Sequence, residues 1–347
     1  MASGELEQIL KKAHKDFGEG IGGKGHSLLP VDRIKTGMFA LDLATGGGFP
    51  RGKTSIIYGP ESSGKTTIAY NALAFVQNVL QMDAVLIDIE NSFDPVWAEA
   101  CGINVEKLVL LYPETAEVAV DLVDATIRAE SVGLVVLDSI GSMITYNEVE
   151  SDAGKQIVGG SAQIVSKMMR KVGQAYMAEA KRGHQPALIC INQIRHKIGV
   201  MFGDPEGMPG GNLLKFASSM TLRVYGKDKM VEAINKDMPV LKTIKGILKK
   251  WKVPILAKNF ECDMCTVAHD GMTPGDTESW NTVVNYLKLH GTVAKHGTGW
   301  VCFGEEFKTL AAIKERYMVN QLYRVKLQQS VVDLELGSGQ SIPAQVG

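Results

Sequence analysis

The sequence predicts an α/β fold, a P-loop core with a mostly parallel central sheet covered by helices. Three observations predict it. From residue 34 onward, short apolar runs that read as strands alternate with amphipathic runs that read as helices. A G-x-x-x-x-G-K-T run joins one of these strands to the next helix. Another strand ends in Asp138, at the edge where open α/β sheets bind ligands. A short N-terminal helix and a smaller C-terminal α/β domain flank the core.

Leu6, Ile9, Leu10, Ala13 and Phe17 recur at helical spacing, which predicts an amphipathic helix over 4–17. Five glycines in residues 18–25 then read as a linker. A helix set apart in this way must dock on its own core or on a neighbour, and 1–33 is the unit made of this helix and its linker. Strands are expected at 55–58, 84–88, 108–111, 134–137 and 187–191, and helices at 66–80, 115–130 and 160–181. Past Ser218, strands follow at 220–224 and 247–251. Residues 34–269 form the expected core, 270–336 a C-terminal domain, and 337–347 a tail without charged side chains.

The chain has 347 residues, 45% hydrophobic and 22% charged, which excludes a mainly disordered or fibrous protein. No apolar run approaches the roughly 18–20 residues of a membrane span. The first residues show neither region of a secretory signal. Five scattered cysteines suit a reducing compartment, so a soluble cytoplasmic protein is expected. The net charge of −1 hides an uneven distribution. Residues 83–150 hold 14 acidic side chains against two basic ones, whereas 239–258 hold six lysines and no carboxylate. One basic face lets a near-neutral protein attract a polyanion, although chance clustering on a solvated surface is the alternative.

Gly59, Pro60, Glu61, Ser62, Ser63, Gly64, Lys65 and Thr66, with Thr67 after them, form a phosphate-binding loop in its proper strand–helix setting. The glycines let backbone N–H groups converge on phosphate, and the helix start adds its dipole. Lys65 is placed to reach the β/γ-phosphates of ATP and the Thr66 hydroxyl to ligate Mg²⁺. Asp138 supplies the second carboxylate, holding Mg²⁺ through water. Glu90 ends another strand, where it can polarise an attacking water; a solvated strand-end carboxylate is the alternative. Asp88 reads as structural. Asn192 and Gln193 end a further strand in two amides, and an amide there can register a γ-phosphate. The glycine-rich segment that follows interleaves Arg195 and Lys197 with Val200, Met201 and Phe202, a mixture suited to single-stranded nucleic acid. A mobile loop without a ligand is the other reading of it.

These runs resemble the RecA family of recombinases, from about residue 17 to about residue 303. The resemblance rests on Tyr58-Gly-Pro-Glu-Ser-Ser-Gly-Lys-Thr-Thr67, Ile191-Asn-Gln-Ile-Arg195, Lys197-Ile-Gly-Val-Met-Phe-Gly203, and Gly210-Gly211-Asn212 with Leu214-Lys-Phe216. It implies a DNA-dependent ATPase that forms a filament on single-stranded DNA and exchanges strands with homologous duplex, with no membrane partner. By motif, Glu90 is similar to the family's catalytic glutamate and Gln193 to its nucleotide-sensing glutamine. In Asp94-Pro-Val-Trp97 the tryptophan stands where the family stacks an aromatic on adenine. Arg170 and Arg195 match phosphate-contacting arginines, and 148–162 and the segment after Gln193 match the two DNA loops. Lys250 and Lys252 align with lysines that reach a neighbour's ATP.

The chain also departs from the family. Residues 148–157 match poorly, Gln163 stands where a basic residue is common, and the tail lacks the acidic run of many bacterial members, which fits a phage-encoded or a trimmed relative. A ring-shaped motor with the same core, and a filament protein in which ATP is only structural, are the rivals; the long identities and intact Glu90 and Asp138 disfavour them. Cys262, Cys265 and His269 lack the second pair of ligands a zinc site needs. His184 and His196 have no evident partner in sequence.

Overall fold

The structure, a computed structural model, describes residues 3–17, 31–150, 160–196, 206–231, 235–269 and 272–336. The expected linker and tail lie outside them. Helix α1 (Ser3–Phe17) leaves Leu6 and Ile9 exposed. The ribbon of β1 (Arg33–Ile34) and β2 (Phe49–Pro50) flanks α2 (Phe39–Thr45), which is buried throughout. Strands and helices then alternate: β3 (Thr54–Gly59), α3 (Lys65–Phe75), β4 (Asp83–Asp88), α4 (Pro95–Ala100), β5 (Val109–Leu111), α5 (Ala116–Ile127), β6 (Val132–Asp138), α6 (Tyr146–Glu150), α7 (Gly160–Lys181) and β7 (Ala187–Gln193). Next come β8 (Arg195–His196), β9 (Glu206–Gly207), α8 (Gly211–Ala217), β10 (Met220–Val231), β11 (Asn235–Trp251), β12 (Asn259–Cys265) and β13 (Thr277–Glu278). The C-terminal part holds α9 (Trp280–Leu289), β14 (Val293–His296), β15 (Gly299–Cys302), β16 (Glu305–Phe307), α10 (Leu310–Val319) and α11 (Gln321–Leu336).

Among the described residues nine strands form one sheet, in the order β13-β12-β11-β10-β3-β7-β6-β4-β5. Neighbours from β10 to β5 run parallel, and those from β10 to β13 antiparallel. The mostly parallel, helix-covered sheet is therefore present. Strands β3 and β6 are buried at every residue, as strands covered on both faces must be. Alternate residues feed opposite cores. Ile57, Leu86, Val136 and Ile189 share one core with Ile68 and Leu73 of α3. Ile56, Val85, Val135 and Leu188 share the other with Val123 of α5 and Val172 of α7. A third core joins Phe39 and Leu43 of α2 to Trp280, Leu287, Tyr317 and Val331 of the C-terminal helices. The outermost strand, β13, comes from beyond residue 269, where the sequence places a domain boundary.

The structure departs from the expected elements in three places. The helix expected over 66–80 is α-helical only to Phe75; its last turn, Val76–Leu80, is a π-helix. Buried Gln77 holds that turn by exchanging hydrogen bonds of 3.1 and 3.0 Å with the backbone of Asn104. Strands β10 and β11 run far beyond 220–224 and 247–251, because cross-strand pairing such as Lys242–Asp228 (3.4 Å) replaces an apolar pattern there. His184 does have partners: its ring lies 3.3 Å from Glu179 Oε2 and 2.8 Å from the Val132 carbonyl oxygen. The second contact exists only because α7 returns to the start of β6. Among the described residues no helix is long and apolar enough to cross a membrane.

Candidate functional site

Strands β3, β7, β6 and β4 are consecutive parallel neighbours, so their carboxyl ends meet along one edge of the sheet. Register sets Gly59 beside Gln193 and Asp88 beside Asp138. From Gly59 the backbone turns through Ser62 (φ 54°) and Gly64 (φ 93°) into α3, which begins at Lys65. A Cβ on Gly59 would strike the Val224 carbonyl oxygen, and one on Gly64 would come within 2.8 Å of Ile244 Cδ1. Glycine at 59 clears the Val224 carbonyl and glycine at 64 takes its left-handed φ without strain, whereas Ser62 adopts a left-handed φ with a side chain. The start of α3 opens on a cavity of about 320 Å³ lined by Ser62, Ser63, Gly64, Lys65, Thr66 and Thr67 with Trp97, Lys242, Met264 and Thr266. Gly59, Pro60 and Glu61 lie outside this lining.

Lys65 is buried and donates to the Pro60 carbonyl at 2.6 Å. Burial lowers its pKa, while Asp138, Glu90 and Glu61 raise it again; a bound anion would act in the same sense. Thr66 Oγ1 donates to Asp138 Oδ2 at 3.0 Å. Burial first, and then the charges of Glu90 and Asp88, push the Asp138 carboxyl up to about 7, against the Thr66 hydrogen bond and Lys65. A divalent cation between Thr66 and Asp138 would relieve this crowding, and a hydroxyl with a carboxylate are the hard oxygen donors Mg²⁺ takes. Among the described residues no group of three or more His, Cys, Asp or Glu could hold a metal ion. The remaining ligands of such a cation would be water and phosphate oxygens.

Asp88 shapes the turn that presents Glu90. Its Oδ1 accepts from Glu90 N at 3.1 Å, and its Oδ2 from Ser92 N and Phe93 N at 2.8 and 2.9 Å. Glu90 is exposed, and its Oε1 accepts from Gln193 Nε2 at 2.9 Å, Ser142 Oγ at 2.9 Å and Ser139 Oγ. Buried Asn192 donates to the Pro209 carbonyl at 2.9 Å, tying the end of β7 to the chain just before α8. Asp94 caps α4, accepting from Val96 N and Trp97 N at 2.9 and 3.1 Å. It does not line the cavity; it holds Trp97, whose Nε1 donates to Thr67 Oγ1 at 3.2 Å.

The residues expected to meet DNA are placed only in part. Arg195 lies in β8, whose backbone pairs with Gly207. Gly210 (φ 95°) and Gly211 (φ 75°) lead into α8, which includes Asn212. Lys197, Val200, Met201 and Phe202 lie outside the described residues, as do 151–159. Arg170 is exposed on α7 beside a cavity of about 540 Å³ that Gln163 and Lys167 also line. Lys250 donates to the carbonyls of Lys215 and Phe216, the latter at 3.0 Å, and Lys252 to that of Phe216 at 2.7 Å. Both lysines thus cap the carboxyl end of α8 in their own chain, where backbone carbonyls lack helical partners. Neither lines the cavity at Lys65. A larger cavity, about 700 Å³, lies between β10–β12 and α9 and holds none of the expected residues.

The family described as the RecA N-terminal domain matches residues 4–266. The chain belongs to the RecA family. A Protein RecA of Bacillus velezensis is 42% identical over 230 residues, covering 65% of this chain and 64% of that protein. The chain thus spans just under two thirds of that relative's length. A Protein RecA of Thermus thermophilus is 33% identical over 344 residues, covering 96% of each chain. The crystal structure of the RadB recombinase overlaps 67% of this chain and 96% of its own, with 22% identity and a TM-score of 0.47.

The RecA-family match contains the glycine turn at 59–66, Glu90, Asp138 and Gln193, and it ends just after β12. Several site residues have no motif to mark them. Lys242, Met264 and Thr266 reach the cavity through the antiparallel strands, and in sequence Lys242 is only one lysine of a basic stretch. Lys167 stands three residues before Arg170, a helical spacing that does signal a shared face. Ser139 and Ser142 carry no signal of their own. Cys262 and Cys265 are buried, free thiols in β12.

Proposed function

We propose that this RecA-family chain is a DNA-dependent ATPase that assembles as a filament on single-stranded DNA and exchanges strands with homologous duplex. The observation that carries this reading is the hydrogen bond of Gln193 to Glu90, which joins the phosphate edge to the root of the second loop. In this reading Lys65 and the first N–H groups of α3 bind the phosphates of ATP, and Trp97 takes the adenine. Thr66 and Asp138 would hold Mg²⁺, which supplies charge neutralisation at the β- and γ-phosphates. Glu90 orients water and accepts its proton. Gln193 exchanges Glu90 for the γ-phosphate, so that nucleotide state reaches Arg195, Lys197, Val200, Met201 and Phe202. Arg170, Gly210, Gly211 and Asn212 complete the DNA surface. Lys250 and Lys252 leave the carbonyls of α8 to reach a neighbour's nucleotide, while α1 docks on the next core. A heterologous contact that does not close produces a helical filament. Residues 34–269 act as the ATPase core and 270–336 as a C-terminal domain, in the cytoplasm.

Electron microscopy with ATP, Mg²⁺ and single-stranded DNA tests the reading, together with ATPase rates measured with and without DNA. Filaments and a DNA-stimulated rate are expected. Closed rings, or a rate indifferent to DNA, would overturn it.

Two substitutions address the ligands separately. Trp97→Ala should weaken ATP about 5- to 150-fold, the range for one base–aromatic stack, and leave inorganic triphosphate nearly unaffected. Equal losses in both titrations would refute adenine stacking. Arg195→Ala should weaken single-stranded DNA to a similar degree for all sequences and flatten the salt dependence by about 0.7 in slope for each phosphate no longer neutralised. Truncating Val200, Met201 or Phe202 should impair strand exchange with the slope unchanged, because apolar side chains displace no counterions. An unaltered slope for Arg195→Ala would move phosphate recognition to the lysines of 239–258.

A further inference from the structure

Three donors converge on a single oxygen of Glu90. Gln193 Nε2 and Ser142 Oγ each lie 2.9 Å from Oε1, and Ser139 Oγ also donates to it. Among the described residues no donor is bonded to Oε2, so one oxygen of this exposed residue is anchored and the other carries no such bond. The donors come from two pieces of backbone: Gln193 from the end of β7, and Ser139 and Ser142 from the two ends of the 3-10 turn that follows β6 and leads toward α6, Ser139 as its N-cap and Ser142 as its last residue. That turn is firmly seated. Ile140, its first residue, and Met143, just after it, are buried, and Ser142 N and Met143 N bond back to the Ser139 and Ile140 carbonyls at 3.2 and 3.3 Å. The two serine hydroxyls stand 3.2 Å apart.

We propose that Ser142 is a positioning residue for Glu90, holding Oε1 so that Oε2 meets the attacking water. This rests on the reading of Glu90 as the base for ATP hydrolysis. In that reading Gln193 leaves Glu90 when it turns to the γ-phosphate. A carboxylate then held by Ser139 alone could pivot about one hydrogen bond. With Ser142 it keeps two anchors, three residues apart on one seated turn, and its orientation survives the departure of Gln193. A reacting group held in place in this way contributes to rate through alignment, and binding of the nucleotide is untouched. Ser142 also sits on the segment leading to the first loop, as Gln193 does for the second, so a single oxygen is tied to the roots of both.

The test uses the full chain with Mg²⁺, ATP and single-stranded DNA. Ser142→Ala should lower kcat about 3- to 30-fold, the loss of one partly solvated hydrogen bond to a charged group, with KM for ATP within about twofold of wild type. Ser142→Thr, which keeps the hydroxyl, should recover most of kcat. On a Glu90→Gln background, Ser142→Ala should cost nothing further, since it acts only through that side chain. A wild-type kcat in Ser142→Ala, an equal loss in Ser142→Thr, or full additivity with Glu90→Gln overturns the proposal. The parallel Glu90→Gln variant separates the two levels. If it alone hydrolyses ATP normally, the base assignment falls and takes Ser142 with it. If it is impaired while Ser142→Ala is normal, only the role of Ser142 falls.

Discussion

Glu90→Gln is expected to slow ATP hydrolysis by roughly 10²–10⁴-fold, the usual loss for a missing general base. Nucleotide affinity should stay near wild type. The amide oxygen of glutamine can still accept from Gln193, Ser142 and Ser139, so the side chain keeps its seat at Oε1. What it loses is the capacity to take a proton at the second position. Asp138 and Lys65 remain, and with them the proposed cation and phosphate contacts. Removing the Glu90 charge also takes away one of the influences that push the Asp138 carboxyl upward, which favours its ionised, cation-binding form. Single-turnover hydrolysis beside an equilibrium ATP titration checks both halves. Unchanged hydrolysis would mean that another residue activates the water.

Lys65→Ala is expected to weaken ATP about 10²–10³-fold and to abolish ATP-dependent assembly on DNA. Truncating one partner of a buried, hydrogen-bonded charge pair typically costs about 2–5 kcal/mol. Among the described residues the one other cation lining the cavity, Lys242, already donates to the Ser62 carbonyl at 3.1 Å and pairs with Asp228 at 3.4 Å. It cannot replace an ammonium group seated at the start of α3. ATP titration and electron microscopy of the variant decide the matter: normal filaments would remove the phosphate role of Lys65.

The phosphate cradle and the parallel sheet were legible from residue order because their causes are local. A strand, a glycine turn and a helix start are neighbours in sequence, and Asp138 ends a run of apolar residues that only a covered strand accommodates. Asp94 was legible as part of a motif, but its chemistry was not. It caps α4 and acts on the cavity through Trp97. Lys250 and Lys252 were likewise found by alignment of motifs, yet their present partners, the carbonyls at the end of α8, lie 34 to 36 residues away in sequence.

By itself the sequence determined the alternating α/β architecture, the glycine turn at 59–66, and the acids Asp88 and Asp138 at strand ends with Glu90 two residues beyond β4. Each depends on periodicity or spacing within a few residues. Only the tertiary structure decided what surrounds Glu90. Its partners Ser139, Ser142 and Gln193 stand 49, 52 and 103 residues away along the chain. They meet because parallel pairing brings the ends of β4, β6 and β7 to one edge, and a hydrogen bond requires atoms within about 3 Å whatever their separation in sequence.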